Sequence, residues 1–432
     1  MNDDAIESIG TPVPGARSRA LAGALRRHES RNVTYFADDV PIFWESASGA
    51  TVTDADGNRY LDLTSAFGVA NVGHANPRVV AAIADQAQRL MHGMGDVHPT
   101  GIRARLLARL AQILPAGLDT AFLATTGSEA IEAAMKTAIL ATGRPRFASY
   151  RGAYHGLSLG ALALCGIEKF RKPFAGALAP GAVLLDYPRE GVDDARGAIA
   201  AARETLRPYR DLAAIVIEPI QGRAGCIVPP PGYLGALREL CDELGALLIV
   251  DEIYTGFGRA GTWFAIECEG VVPDIVCIGK AMASGFPIGA AVGRRATMDA
   301  WPASTGEALH TSTFLGNPMG CAAALATIDE LESRRLPARA ATLDSTLRER
   351  LRALTARRIV TAVRGRGLFW GVAFVDAARA QAVVTRALHT GLILLQSGVG
   401  GDVVTVAPPL TIGARQLDRA LSLLEAAVEA AE

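Results

Sequence analysis

Asp251 and Lys280 are the two residues of this chain whose types and setting could do chemistry together. Asp251 follows the apolar run Leu247-Leu248-Ile249-Val250, and Lys280 follows a second run from Asp274 to Ile278. Short apolar runs of this kind read as strands buried on both faces, as in a parallel sheet. Both charges would then leave their strands at the carboxyl edge of one sheet, where open α/β folds bind ligands. An amine placed there can form a Schiff base with an aldehyde. A carboxylate beside it can keep a pyridine nitrogen protonated, so that the ring draws electrons from a bound carbon. Pyridoxal phosphate requires that pair. Taken singly, an Asp after an apolar run is ordinarily a turn or cap residue, and a Lys is ordinarily a surface charge. Their joint occurrence with the segments around them is what points to a site.

Other elements must supply the rest of such a site. The run Ala121-Phe122-Leu123-Ala124-Thr125 reads as a strand entering Thr126-Gly127-Ser128 and then an Ala-rich helix over 130–141, with Ser128 as its N-cap. A helix start offers free N–H groups and a positive dipole end, so Gly127 and Ser128 can take a phosphate. A strand over 147–150 leads into Arg151-Gly152-Ala153-Tyr154-His155-Gly156, where the Tyr154 ring could lie against a flat cofactor. Residues 157–181 read as a long loop at the edge of the site, followed by a strand over 183–186 and a helix over 193–207. Next come a strand over 213–217 ending in Glu218-Pro219 and a helix over 233–244. This strand, helix, strand alternation implies a right-handed, mostly parallel sheet.

Upstream, residues 1–30 read as a polar, Arg-rich arm with one helix, and Asp56-Gly57 marks a hairpin turn. Helices are expected over 78–90 and 100–114. Downstream come a strand over 290–293, a helix over 318–331, and short strands near 367–375 and 403–406.

Length and composition bound the class. A chain of 432 residues exceeds one ordinary domain. Half of it is hydrophobic and its formal net charge is −1, so nothing argues for a nucleic-acid or membrane partner. The six cysteines show no CxxC pair and no metal spacing, and read as small core residues of a reducing compartment. With an acidic start and no apolar leader, the expectation is a cytoplasmic protein without a metal.

Asp251-Glu252-Ile253, then Thr255-Gly256-Phe257-Gly258-Arg259, then Lys280, resemble the signature of the class III (ornithine, 4-aminobutyrate and omega-amino-acid) aminotransferases of the fold type I pyridoxal phosphate enzymes. The resemblance runs from about residue 40 to the C-terminus. It implies an α/β fold with a large cofactor domain over 76–334 and a smaller α+β domain from 1–75 and 335–432. It implies Lys280 and Asp251 as catalytic residues, a phosphate on Gly127 and Ser128, Tyr154 stacked on the ring, and Glu218 near its pyridine side. His155 is a cofactor neighbour of open role. Thr313, in His310-Thr311-Ser312-Thr313-Phe314, would reach the cofactor phosphate of a partner subunit, which implies a homodimer. Phe67 falls where relatives place an aromatic facing the substrate, and a core Phe is the alternative.

The sequence departs from the pattern at two places. Tyr254 stands where relatives commonly have a Gln bonded to the cofactor's phenolic oxygen, and its hydroxyl could supply a similar cofactor-binding hydrogen bond. Arg223 stands where ornithine- and aminobutyrate-type relatives have a Glu, and Thr405 where they have a carboxylate-binding Arg. Arg223 could take over the carboxylate clamp, or be a solvated arginine. The implied activity is transfer of an amino group from a donor to a keto or aldehyde acceptor. An amino-acid racemase of the same fold is the nearest rival, and a cofactor-free binding protein a more distant one.

Overall fold

A computed structural model describes residues 6–178 and 181–432. The acidic start of the chain and positions 179 and 180 of the expected loop lie outside the described residues. The strands, in chain order, are β1 Trp44–Ser48, β2 Thr51–Asp54, β3 Arg59–Asp62, β4 Thr120–Ala124, β5 Arg146–Tyr150, β6 Val183–Leu185, β7 Leu212–Ile217, β8 Leu247–Asp251, β9 Ile275–Ile278, β10 Gly289–Gly293, β11 Val360–Arg366, β12 Phe369–Phe374, β13 Leu392–Ile393, β14 Leu395–Ser397 and β15 Val403–Val406.

Seven of them form the central sheet in the order β4-β10-β9-β8-β7-β5-β6. Strands β9, β8, β7, β5 and β6 run parallel, and β10 is antiparallel to both of its neighbours. The expectation of a mostly parallel sheet holds, because crossover helices such as Tyr233–Leu244 return the chain to the same edge before each strand. Every residue of β7 is buried, as its unbroken apolar sequence requires of a strand covered on both faces. The helix Gly127–Thr142 buries Ala130, Ala133, Ala134 and Ala138 in one cluster with Ala213, Ala214 and Ala291 of the sheet. Small side chains on both surfaces let helix and sheet approach closely, which gives the alanine enrichment a packing role.

Two four-stranded sheets, β1-β2-β3-β13 and β11-β12-β15-β14, draw on the two ends of the chain. The first joins the N-terminal hairpin to β13, which pairs parallel with β3. The hairpin turns at Asp56-Gly57 as expected, with the Gly57 N–H donating to the Asp54 carbonyl and φ at +87°. One expectation is corrected. The stretch after Gly156 is not a loop: it carries the helices Leu159–Leu164 and Glu168–Arg171. Leu162, Cys165, Ile167 and Leu178 bury themselves in a cluster of their own there, a pattern too short to register as a helical period.

Arg259 ties the ends of the chain to the central sheet. It is fully buried. Its Nη1 donates to the carbonyls of Leu368 (2.9 Å) and Pro408 (2.6 Å), and its Nη2 to Ser65 Oγ (3.1 Å) and to Asn71 Oδ1. Among the described residues no carboxylate pairs with it, and burial lowers its pKa to about 10. Four hydrogen bonds from its two terminal nitrogens satisfy acceptors from both ends of the chain at once, a geometry that a lysine cannot reproduce. Arg259→Lys should therefore lower the unfolding free energy by roughly 3 kcal/mol, read from urea unfolding. A loss under about 0.5 kcal/mol, the range of an ordinary surface change, would show that this contact does not hold the ends in place.

Candidate active site

The parallel pairing of β8 and β9 brings the two charges together as expected. Asp251 is level with Cys277, and Lys280 leaves the same sheet edge three residues later. Ile217 of β7 is level with Val250, so Glu218 emerges beside Asp251. A cleft of about 190 Å³ opens there, lined by Gly127, Ser128, Tyr154, His155, Gly156, Glu218, Ile220, Arg223, Asp251, Ile253, Tyr254, Thr255 and Lys280. Nine of the expected site residues are among them. Phe67 and Thr313 are not: both are exposed, Phe67 to 62 %.

Asp251 is buried and doubly held. Its Oδ2 accepts a hydrogen bond from His155 Nδ1 at 2.7 Å, and its Oδ1 accepts from the Ile253 N–H at 3.0 Å. Burial opposes charge on His155, but the hydrogen bond to Asp251 and the field of Glu218 prevail and raise its pKa above the ordinary value. Its Nε2 is buried without a partner. Glu218 accepts from the N–H groups of Tyr154 (3.1 Å) and Gly222 (3.2 Å). Burial pushes its pKa up to about 7 against the pull of His155, and the nearby Asp251 pushes the same way. Burial depresses the Lys280 pKa, and the fields of Asp251 and Glu218 only partly offset this. A lysine that yields its proton readily can serve as nucleophile and base. Its backbone sits at φ +42°, in the left-handed region that non-glycine residues seldom occupy.

Across the cleft, the helix Gly127–Thr142 presents its N-terminus. The N-cap is Thr126, not Ser128: Thr126 Oγ1 accepts from the Glu129 N–H at 3.2 Å. The sequence Thr-Gly-Ser offers two candidate caps two residues apart, and only the backbone turn selects between them. The correction leaves the Ser128 hydroxyl free to face the cleft. A Cβ on Gly156 would lie 2.1 Å from Ser128 Oγ, and one on Gly127 would lie 2.8 Å from the Ile253 side chain. Both glycines keep the cradle open.

Arg223 stands on the cleft wall with Nη1 buried and unpartnered, and among the described residues no carboxylate lies within ion-pair distance of it. Thr405, at the position of the relatives' arginine, is buried and its hydroxyl meets that of Ser397 at 2.7 Å. Sequence reasoning missed Gly156, Ile220, Ile253 and Thr255 as lining residues. Ile253 and Thr255 sat inside the quoted signature, while Ile220 carried no local signal. It also missed that Ser65, Ala66, Phe67 and Gly68 are four consecutive left-handed residues. Among the described residues no cluster of His, Cys, Asp and Glu could hold a metal ion.

Comparison with known proteins agrees with this geometry. The aminotransferase class-III family model matches residues 34–428. The chain is 38% identical over 394 residues to an acetylornithine aminotransferase of Methanosarcina mazei, covering 90% of this chain and 92% of that protein. It is 38% identical over 402 residues to a putrescine aminotransferase of Pectobacterium atrosepticum, covering 90% and 83%. The fold is similar to that of a solved transaminase from the marine bacterium Virgibacillus, with TM-score 0.90, 26% identity, and 96% and 99% of the two chains covered. The chain belongs to the class III aminotransferases and is a pyridoxal-phosphate-dependent enzyme of amino-group transfer. These relatives favour transamination over the racemase alternative. The residues present fit the cofactor: an amine and a held acid at one sheet edge, a helix start kept clear by two glycines, and a buried unpartnered ring nitrogen on His155.

Glu218 and His155 give the site a pH signature. Glu218 holds its proton more tightly folded than unfolded, so its contribution to stability falls as pH rises from its ordinary value of 4.5 through about 7. His155, also raised, contributes fully below its ordinary value and loses that contribution as pH rises through its folded one. Glu218 alone should make the unfolding free energy of the cofactor-free chain fall by roughly 3 kcal/mol between about pH 5 and pH 8, and His155 steepens the fall. Glu252, raised by burial to about 7, adds a slope of the same sign. Glu218→Gln should flatten the profile without abolishing it, and parallel profiles for the two proteins would contradict the assignment.

Proposed function

We propose that the enzyme exchanges amino groups with carboxylate-bearing substrates gripped by Arg223, and that it does so as a cytoplasmic homodimer. The observation that carries this reading is the unpartnered Nη1 of Arg223 on the wall of the cleft that holds Lys280 and Asp251. A buried guanidinium donor left unpaired is costly, and a bound carboxylate would satisfy it with paired hydrogen bonds. Such a grip would orient the substrate so that its amine-bearing carbon faces Lys280 Nζ.

Bound pyridoxal phosphate supplies the aldehyde for the amino group and an electron-poor ring that accepts the electrons of a broken C–H bond. The chain's own residues do the rest. Lys280 Nζ takes the proton from the substrate carbon and returns it, its affinity for that proton weakened by burial. Asp251, fixed by His155 and the Ile253 N–H, holds a negative charge where a pyridine N–H needs one. Gly127 and Ser128 offer the helix start to phosphate, and Tyr154 covers the ring face. Glu218 supports the turn that carries Tyr154 through the Tyr154 N–H.

Exposed apolar side chains support the dimer. Leu90 (44 %), Met91 (61 %), Met94 (58 %) and Val97 (55 %) lie on one segment, and Leu309 (72 %) and Phe314 (60 %) flank Thr313 on another. The two segments meet where Asn317 Nδ2 donates to the Met91 carbonyl and the His92 and Phe314 rings pack 5.4 Å apart. A patch of that kind calls for a partner surface. A second copy covering it would place Thr313 of the partner subunit at the phosphate end of the cleft, and would bring the exposed Phe67 to the rim of a shared site.

Two measurements test this. Arg223→Ala should raise KM for a carboxylate-bearing amino donor about 10- to 100-fold while changing kcat/KM for an uncharged primary amine by less than about 3-fold; equal effects on both donors reject the clamp. Co-expressing Lys280→Ala with Thr313→Ala chains tests the shared site. Hybrid dimers would keep one site with an intact lysine and an intact threonine, and should recover about a quarter of wild-type activity on statistical pairing. No recovery above the Thr313→Ala homodimer places Thr313 in its own chain's site or outside both.

A further inference from the structure

Lys280 Nζ lies 4.6 Å from the centroid of the Tyr254 ring, over its face. Among the described residues the ammonium has no ion pair, so a ring face in contact is joined only by the through-space fields of Asp251 and Glu218. That ring is tightly held. A Cβ on Gly68 would stand 2.2 Å from Tyr254 Cε2, and one on Gly222 would stand 2.7 Å from Tyr254 Cδ1. Phe369 packs against it with centroids 4.5 Å apart. A six-membered ring fits here only because both flanking residues lack side chains. The Tyr254 hydroxyl, by contrast, is buried with no partner. Burial raises its pKa well above the usual phenol range, so it stays neutral.

We propose that the face of Tyr254 is the seat of the Lys280 ammonium whenever that nitrogen is not covalently engaged, and that the ring, not the hydroxyl, sets how readily the nitrogen gives up its proton. An aromatic face attracts a cation within about 6 Å of its centroid, more strongly where water is scarce. The attraction favours the charged amine and so opposes the effect of burial. The other groups facing Lys280 are Asp251 at the end of β8 and Glu218 after β7, which favour the cation from a distance, with Arg223 and His155 on the remaining walls. A neutral ring in contact holds the amine in place without neutralising it. A carboxylate in contact would bind the proton far more firmly and leave a poorer base. The seat also keeps the freed amine beside the cleft while substrate occupies it.

The inference rests on Lys280 being the reactive amine, and its test does not depend on turnover or on Arg223. Full-length protein loaded with pyridoxamine phosphate, which leaves the lysine nitrogen free, is labelled with acetic anhydride across a pH series, and acetylation at Lys280 is read by peptide mass spectrometry. Tyr254→Phe should match wild type within about 2-fold, whereas Tyr254→Leu should label about 3- to 10-fold faster near neutral pH, because loss of the ring lowers the pKa of the amine. Should Tyr254→Leu fold poorly, mono-, di- and trifluorophenylalanine at position 254 weaken the ring face without changing its shape, and labelling should quicken stepwise along the series. Labelling that is unchanged in Tyr254→Leu, or flat across the fluorinated series, overturns the proposal. So does a Tyr254→Phe profile shifted as far as that of Tyr254→Leu, which would assign the effect to the hydroxyl. A Lys280 that never labels in any variant would instead remove the assignment of the reactive amine itself.

Discussion

Charges in a water-poor cleft are stable only as a set, and the rest of this structure is arranged around that constraint. Asp251, His155, Glu218 and Lys280 would each be costly alone at this sheet edge. Together they offset one another: His155 donates to Asp251 at 2.7 Å, backbone N–H groups satisfy Glu218, and the two acids act on the amine from a distance. The balance is incomplete. Glu218 is pushed up to about 7 and Lys280 is pulled down, so both sit nearer to proton exchange than their ordinary values allow. Incomplete compensation is what a proton-moving site needs, since a fully paired lysine would not release its proton.

The sheet makes the set possible. Parallel strands deliver their carboxyl ends to one edge, so β7, β8 and β9 bring an acid, an acid and an amine to adjacent places without any of the three residues being near in sequence. This part was legible from the chain, because unbroken apolar runs ending in a charge have few other readings. The cleft floor was less so. Ile253 fills the space beneath Gly127 and Gly279, and Gly156 clears room for Ser128, but neither residue type announces such a task. The cap at Thr126 and the helices after Gly156 were misread for a related reason. The cap is selected by the backbone turn and the short helices by their buried cluster, and local periodicity over four to six residues reports neither.

Departures from the family pattern become coherent once the contacts are seen. Thr405 and Ser397 satisfy each other as neutral hydroxyls, so no charge is missing from their position. Arg223 is the reverse: its backbone carbonyl accepts from the Gly398 N–H at 3.1 Å, which fixes the turn, while its guanidinium keeps a buried donor unspent. Tyr254 is a third case. Its ring is gripped by Gly68, Gly222 and Phe369, which leaves a rigid aromatic face 4.6 Å from the Lys280 nitrogen.

That wall depends in turn on strained backbone. Ser65, Ala66, Phe67 and Gly68 form a left-handed turn, a conformation costing about 1–2 kcal/mol for each non-glycine residue. Only with this turn does Gly68 lie flat against Tyr254. The strain persists because its surroundings over-determine it. The Gly68 N–H returns to the Thr64 carbonyl, Ser65 Oγ donates to the Ala407 carbonyl, and Arg259 Nη2 donates to Ser65 Oγ. Arg259 also belongs to the signature turn that follows Tyr254. One buried guanidinium thus clamps the strained segment that presses on the ring while anchoring the stretch from which the ring projects, and the same turn leaves Phe67 exposed. The segments at the two ends of the chain therefore reach the cleft through packing, although neither supplies the acid or the amine.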